Sequence, residues 1–148
     1  MSRLRWVNVP VPPQHLVGLL LGTFLHVKLS QRLFTMSWTG LVLGWPLIAA
    51  GIWISIRAAM EAGDISIESP TKLLTTGLYA RSRNPMYVGW TLLYLGIALT
   101  ANSVWIIALL PAAIVFTHLV DIRREERSLM AEFGDQYLEY KKRVHRYL

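Results

Sequence analysis

The chain has 148 residues, 53% of them hydrophobic and only 16% charged, with a mean hydropathy of +0.38. That is too apolar for an ordinary soluble domain of this size, and it contains no cysteine, which excludes a disulfide frame, thiolate nucleophilic catalysis and a cysteine-based metal site. A net charge of +6 would suit nucleic acid, but the basic residues cluster at the ends of apolar runs, where they suit a membrane surface and its lipids instead.

The apolar residues gather into long runs, the pattern of bilayer-spanning helices, so the whole chain reads as a single all-α integral membrane domain. The first run goes from His15 to Leu29 after a lead-in containing Pro10, Pro12 and Pro13. The stretch that follows, Leu29-Ser30-Gln31-Arg32-Leu33-Phe34, offers no Ala-x-Ala cleavage pattern, so this run is expected to be a retained span rather than a signal peptide. The second, Trp38 to Ile56, carries no charge and is long enough to cross a hydrocarbon core of roughly 30 Å at about 1.5 Å per residue. Pro46 is expected to kink it rather than end it. A third run, Met86 to Ala101, and a fourth, Val104 to Val120, are separated only by Asn102-Ser103, which predicts an antiparallel helical hairpin.

With four transmembrane helices, every lysine and arginine except Lys28 and Arg32 falls on one side, including Arg3 and Arg5. The positive-inside rule places that side, with both termini and a polar loop from Arg57 to Pro85, in the cytoplasm. Trp38 and Trp105 are expected to anchor the opposite interface. Beyond the fourth span, Gly134 is expected to stop a helix and Asp135 to cap the next. There Phe133, Tyr137, Tyr140, Val144 and Tyr147 recur at spacings of four and three, which predicts a C-terminal amphipathic helix at the interface.

Polar chemistry must come from the loop and the tail. In the loop, Gly77 permits a tight turn and Pro85 starts a helix whose free backbone donors can hold a carboxylate. On its own this loop is equally a solvated one, with Arg81 and Arg83 at lipid headgroups. Glu125 and Glu126 answer it from the cytoplasmic end of the fourth span. Glu126 has Arg123 three residues back, whereas Glu125 has Asp121 one turn back and no basic neighbour at helical spacing. Glu125 therefore lacks a cation, which either a cationic ligand or an arginine of the Arg81–Arg83 loop would supply. His26 and His118 lie within spans, but the histidines show no ligand spacing that would make a metal site.

Four segments then stand in order: Leu74-Thr75-Thr76-Gly77-Leu78-Tyr79, Arg83-Asn84-Pro85-Met86-Tyr87-Val88-Gly89, Glu125-Glu126, and Phe133-Gly134-Asp135-Gln136-Tyr137-Leu138-Glu139-Tyr140. Together they resemble the isoprenylcysteine carboxyl methyltransferase family and its phospholipid methyltransferase relatives, from residue 40 to residue 144. The resemblance implies S-adenosylmethionine as methyl donor, held by Lys72, Leu73, Leu74, Tyr79, Asn84, Pro85, Met86, Tyr87 and Glu125. It implies Arg83, Asn84 and Tyr87 at the site of transfer, and a lipophilic acceptor bearing a carboxylate, thiol or amine. Two positions depart from the family pattern. Asn84 replaces its usual histidine and cannot titrate near neutral pH, and Asp121 stands where the prenylcysteine enzymes place a substrate-binding arginine. Rival readings are an NADPH-dependent membrane reductase of related fold and a non-catalytic module that binds lipid headgroups.

Overall fold

The computed structural model describes residues 11–63 and 71–147; Arg3, Arg5 and Pro10 lie outside the described residues. Those described form helices and no strand, apart from one isolated antiparallel bridge between Arg32 and Ser103. Helix α1 spans Pro13–Leu29, with a proline in its first turn, where the missing N–H costs nothing, and ends at Ser30 in the left-handed conformation (φ 48°). Helix α2 spans Ser37–Ala62 and contains Pro46 without ending there.

The α2 helix continues six residues past the expected limit at Ile56, so the polar loop begins at Gly63 rather than at Arg57. Two features carry it on: Arg57 pairs with Glu61 one turn ahead at 3.6 Å, and Ala58, Ala59 and Ala62 are buried. Helices α3 (Pro85–Thr100) and α4 (Val104–Phe116) form the expected hairpin. Asn102 adopts a left-handed φ of 52° at the turn, and its side chain bonds the backbone of Phe34 through both N–H (2.8 Å) and C=O (2.9 Å). Ser103 caps α4 by accepting from the Ile106 amide at 3.2 Å.

No break follows α4. A π-helical turn, Thr117–Asp121, leads directly into α5, Ile122–Arg143. Gly134 stops one helix and a second begins after it, as expected: its φ of 47° and ψ of −118° are non-helical, so α5 consists of two helices that meet at a kink there. Nothing lies within 4 Å of where its Cβ would be, so backbone conformation rather than space selects glycine here.

Many large apolar side chains of α1, α2 and α4 face outward, while glycines line the contacts between helices. Leu16, Leu20, Phe24, Val42, Trp53 and Val115 are exposed, while Gly18, Gly22, Gly44, Gly51, Gly89 and Gly96 are buried. Such an inverted arrangement suits lipid as the solvent, because apolar surface in lipid carries no penalty and helices associate through close backbone approach. The α2–α3 contact shows this best: a Cβ on Gly51 would lie 2.6 Å from the Leu93 nitrogen, and one on Gly96 2.8 Å from the Gly44 carbonyl. The segments Ser37–Ala62 and Val104–Arg143 are long and apolar enough to cross a membrane, and α3 is a shorter apolar helix.

The amphipathic tail is present as the end of α5, but its apolar face is covered by the protein itself. Tyr137, Tyr140 and Val144 are buried in a cluster with Leu73, Leu129, Met130 and Phe133. Leu73 comes from the polar loop, so this packing brings loop and tail together. Tyr147 lies past the helix end, exposed and apart from that cluster.

Candidate active site

The loop is held from two sides. At the end of α2 the Glu61 carboxylate accepts a hydrogen bond from the Leu78 amide at 2.7 Å and supports a short 3-10 turn, Gly77–Ala80. Gly77 is required there twice over, since its φ is +61° and a Cβ would lie 2.5 Å from the Glu61 carboxyl group. From the other side the Tyr140 hydroxyl of α5 donates to the Tyr79 carbonyl at 2.6 Å. The next residues are strapped by the C-terminal segment: the Arg83 amide donates to the His145 carbonyl (2.9 Å), and the Arg146 carbonyl accepts from Ser82 Oγ (3.3 Å) and Asn84 Nδ2 (3.1 Å). Asn84 is buried, and its amide serves as a strap donor rather than as a side-chain cap of α3.

The two glutamates have opposite surroundings. Glu126 is clasped by two arginines: Arg146 reaches both carboxylate oxygens, Nε to Oε1 at 2.9 Å and Nη2 to Oε2 at 2.6 Å, and Arg83 Nη1 lies 3.0 Å from Oε1. Arg83 also donates to the Tyr137 hydroxyl at 3.2 Å. Burial works against the charge on Glu126, but the hydrogen bond from Arg146 and the charges of Arg83 and Arg146 prevail and hold its carboxyl below the ordinary value. The expected partner, Arg123, is not used. It is exposed, because the helix face that carries Glu126 turns toward the loop and the C-terminal segment.

Glu125 is half-buried, and its hydrogen-bond partner is the Tyr87 hydroxyl of α3, which donates to Oε1 at 2.5 Å. No cation pairs with it among the described residues. The loop arginines do not fill the role: Arg83 is bound to Glu126, and Arg81 is exposed. Burial pushes the Glu125 carboxyl upward against the Tyr87 hydrogen bond, and the negative charges of Asp121 and Glu126 add to the push. The Tyr79 phenol is pushed up too, first by burial and then by the charges of Glu125 and Glu61, so it lies within electrostatic reach of Glu125.

Of the residues expected at the site, Tyr79, Tyr87 and Glu125 converge at this point, with Asn84 and Pro85 at the adjoining start of α3. Leu73 is part of the α5 cluster, Leu74 is half-buried beside it in sequence, and Lys72 is exposed. Met86 is turned toward Ala58 and Ala59 of α2, and Arg83 toward Glu126. Three organising residues were not anticipated: Glu61, Tyr140 and Arg146. Gly77 was the available sign of a supported turn, but nothing local identifies Glu61 as the support. His118 belongs to the C-terminal strap, with Nδ1 2.7 Å from the Tyr147 hydroxyl and Nε2 3.2 Å from Arg146 Nη1.

Comparison with known proteins gives the family to which the chain is related. Residues 39–136, which contain most of α2, the loop, the hairpin and most of α5, match the family described as phospholipid methyltransferase. Protein-S-isoprenylcysteine O-methyltransferase from Mus musculus is 40% identical over 73 residues, covering 49% of this chain and 25% of the relative; the Homo sapiens protein of that name is 40% identical over 74 residues, with the same coverage. Methanethiol S-methyltransferase from Crocosphaera subtropica is 27% identical over 135 residues, covering 88% of this chain and 51% of the relative. The chain thus spans about a quarter of the length of the animal relatives and about half that of the Crocosphaera one. With its match extending over more than half its length, the chain belongs to the phospholipid methyltransferase family.

Proposed function

We propose that the protein is an S-adenosylmethionine-dependent methyltransferase acting on a lipophilic acceptor at the cytoplasmic face of a membrane. The observation that carries this reading is Glu125, a half-buried carboxylate that pairs with no cation among the described residues, hydrogen-bonded by Tyr87 and within electrostatic reach of Tyr79. A donor with an α-ammonium group fits that vacancy of charge, and Lys72, Leu73, Leu74, Tyr79, Asn84, Pro85, Met86 and Tyr87 complete its enclosure. When bound, S-adenosylmethionine supplies a methyl group already activated on a sulfonium. The protein's task is then to align the partners and exclude water. Glu125 holds the donor's charged end, Tyr87 fixes the Glu125 rotamer, and the Glu126 clasp with Arg83 and the Arg146 strap keep Asn84 and Pro85 in place beside them. Asn84 acts by position, since an amide cannot take a proton. Names of relatives bracket the acceptor chemistry between a prenylated cysteine and a small thiol.

Calorimetry on detergent-solubilised protein with S-adenosylhomocysteine, NADPH and anionic lipid vesicles as separate titrants tests the donor. Glu125→Gln is expected to weaken S-adenosylhomocysteine by roughly ten- to hundredfold, the equivalent of about 1.5–3 kcal/mol for a charge-assisted contact, and Glu126→Gln far less. Equal effects, or tighter binding of NADPH, would reject the reading. Four spans with both termini in the cytoplasm belong to the same proposal. An impermeant thiol reagent applied outside should label Ala101→Cys and spare Lys142→Cys; the reverse pattern would invert the topology.

A further inference from the structure

Several buried polar atoms lack a hydrogen-bond partner among the described residues, and His15, near the start of α1 and only 1% exposed, lacks one at both ring nitrogens. Its ring stands edge-on to Tyr94 of α3, with centroids 5.8 Å apart, and the Tyr94 hydroxyl is directed away to the Ile106 carbonyl at 3.0 Å. Leaving both nitrogens of a buried imidazole unsatisfied is costly unless something else meets them. The charge of Asp121 acts on this ring, and the residue before His15 reaches the same aspartate. The Gln14 amide nitrogen donates to both the Thr117 hydroxyl and an Asp121 carboxylate oxygen, at the two ends of the π-helical turn. Such turns are frequent at functional sites because their extra residue re-aims side chains, and here the turn presents Thr117 and Asp121 to one amide.

Asp121 links this cluster to the donor site. It lies one turn before Glu125 and within electrostatic reach of His15, Tyr87 and Glu125. Among the described residues no cation pairs with it. With both amide hydrogens of Gln14 engaged, the groups left over are three acceptors, the second Asp121 oxygen, the Gln14 carbonyl oxygen and one nitrogen of a neutral His15, against a single donor, the N–H of the other His15 nitrogen. A ligand that satisfies the acceptors must bring hydrogen-bond donors. An ionised carboxylate would bring none and would face Asp121 and Glu125 as like charges.

We infer that Gln14, His15, Thr117 and Asp121 form the headgroup site of the methyl acceptor, and that this site takes a nucleophile that arrives carrying its proton, an amine or a thiol, in preference to a carboxylate. The inference rests on the donor reading above for its role in transfer, but the binding preference stands by itself. Asp121 selects the headgroup, and His15 offers the nitrogen that a buried N–H or S–H needs.

The test is calorimetry on the full chain in lipid nanodiscs at neutral pH, with octylamine, octanethiol and octanoate as chain-matched probes and protein-free nanodiscs as the blank. At least one of octylamine and octanethiol is expected to bind about tenfold or more tightly than octanoate, and which of them is tighter identifies the acceptor class. Octanoate binding as well as or better than both would overturn the inference, and this comparison needs no variant. Asp121→Asn should erase the preference while leaving S-adenosylhomocysteine affinity within about threefold; a preserved preference counts against the site. His15→Phe keeps the ring against Tyr94 and removes the unsatisfied nitrogens. It should therefore weaken the favoured probe while holding or raising the melting temperature, whereas a merely structural histidine would lower the melting temperature and leave the probe unaffected. If S-adenosylhomocysteine fails to bind the wild-type protein, the donor reading falls and the headgroup preference is still decided by the three probes.

Discussion

The two halves of this molecule are held together by opposite means. Between α2 and α3 the contact is made by what is missing: Gly44, Gly51, Gly89 and Gly96 let the backbones approach until no Cβ fits. At the polar end the contact is made by charge, with Glu126 drawing Arg83 from the loop and Arg146 from the C-terminal segment onto one carboxylate. In lipid the hydrophobic effect offers helices no reason to associate, so backbone proximity and van der Waals contact replace it. Near water, burying one charge requires a partner, and the pairing then fixes three segments at once.

The comparison breaks most severely at the glycines. Gly51→Leu would drive a side chain into the Leu93 nitrogen and the Gly89 carbonyl, 2.6 and 2.7 Å from its Cβ, and neither backbone atom can yield without moving a helix. A loss of about 3 kcal/mol or more is expected, read as loss of monodisperse protein on gel filtration and of a cooperative thermal transition. Retention of both would mean the α2–α3 contact is looser than described.

A smaller effect sharpens the other side. Glu126→Gln leaves two arginines without their shared anion and should cost about 2 kcal/mol in thermal stability. The pH dependence has a defined sign. Because the Glu126 carboxyl is held below its ordinary value of 4.5, its contribution is complete above that value and is lost as pH falls through the lowered one. Glu125 is shifted the other way, so its ionised, donor-binding form disappears at a higher pH. On acidification, donor affinity should fall before thermal stability does, and the acid-dependent stability loss should be reduced in Glu126→Gln. Simultaneous loss of both in the wild-type protein would show that the two carboxylates are not separately controlled.

The contrast between Glu125 and Glu126 also shows how far the sequence could be read. Counting helical neighbours singled out Glu125 as the carboxylate with no basic residue at helical spacing, but it could not show that Tyr87 of α3 donates its hydrogen bond. The same counting assigned Arg123 to Glu126, which failed because an exposed neighbour at helical spacing was outcompeted by two arginines distant in the chain. The α2 helix was similarly shortened to Ile56, since the first charge marked the end of the apolar run, although Arg57 and Glu61 stabilise another turn and a half.

What the sequence by itself determined was therefore local: apolar runs as helices, Asn102-Ser103 as a hairpin, Gly77 as a turn, Pro85 as a helix start, and the motif order that marks the family. These follow from backbone geometry and from periodicity within a few residues, which a single chain displays openly. Only the tertiary structure decided that Glu61 supports the Gly77 turn, that Tyr140 and the Arg146 carbonyl hold the loop, that the apolar face of α5 packs on Leu73, that His15 is buried against Tyr94, and that Gln14 reaches Thr117 and Asp121. Each of these joins groups from separate segments. Helical spacing tells which side of an element a residue occupies, but what covers that side depends on how the other helices cross it.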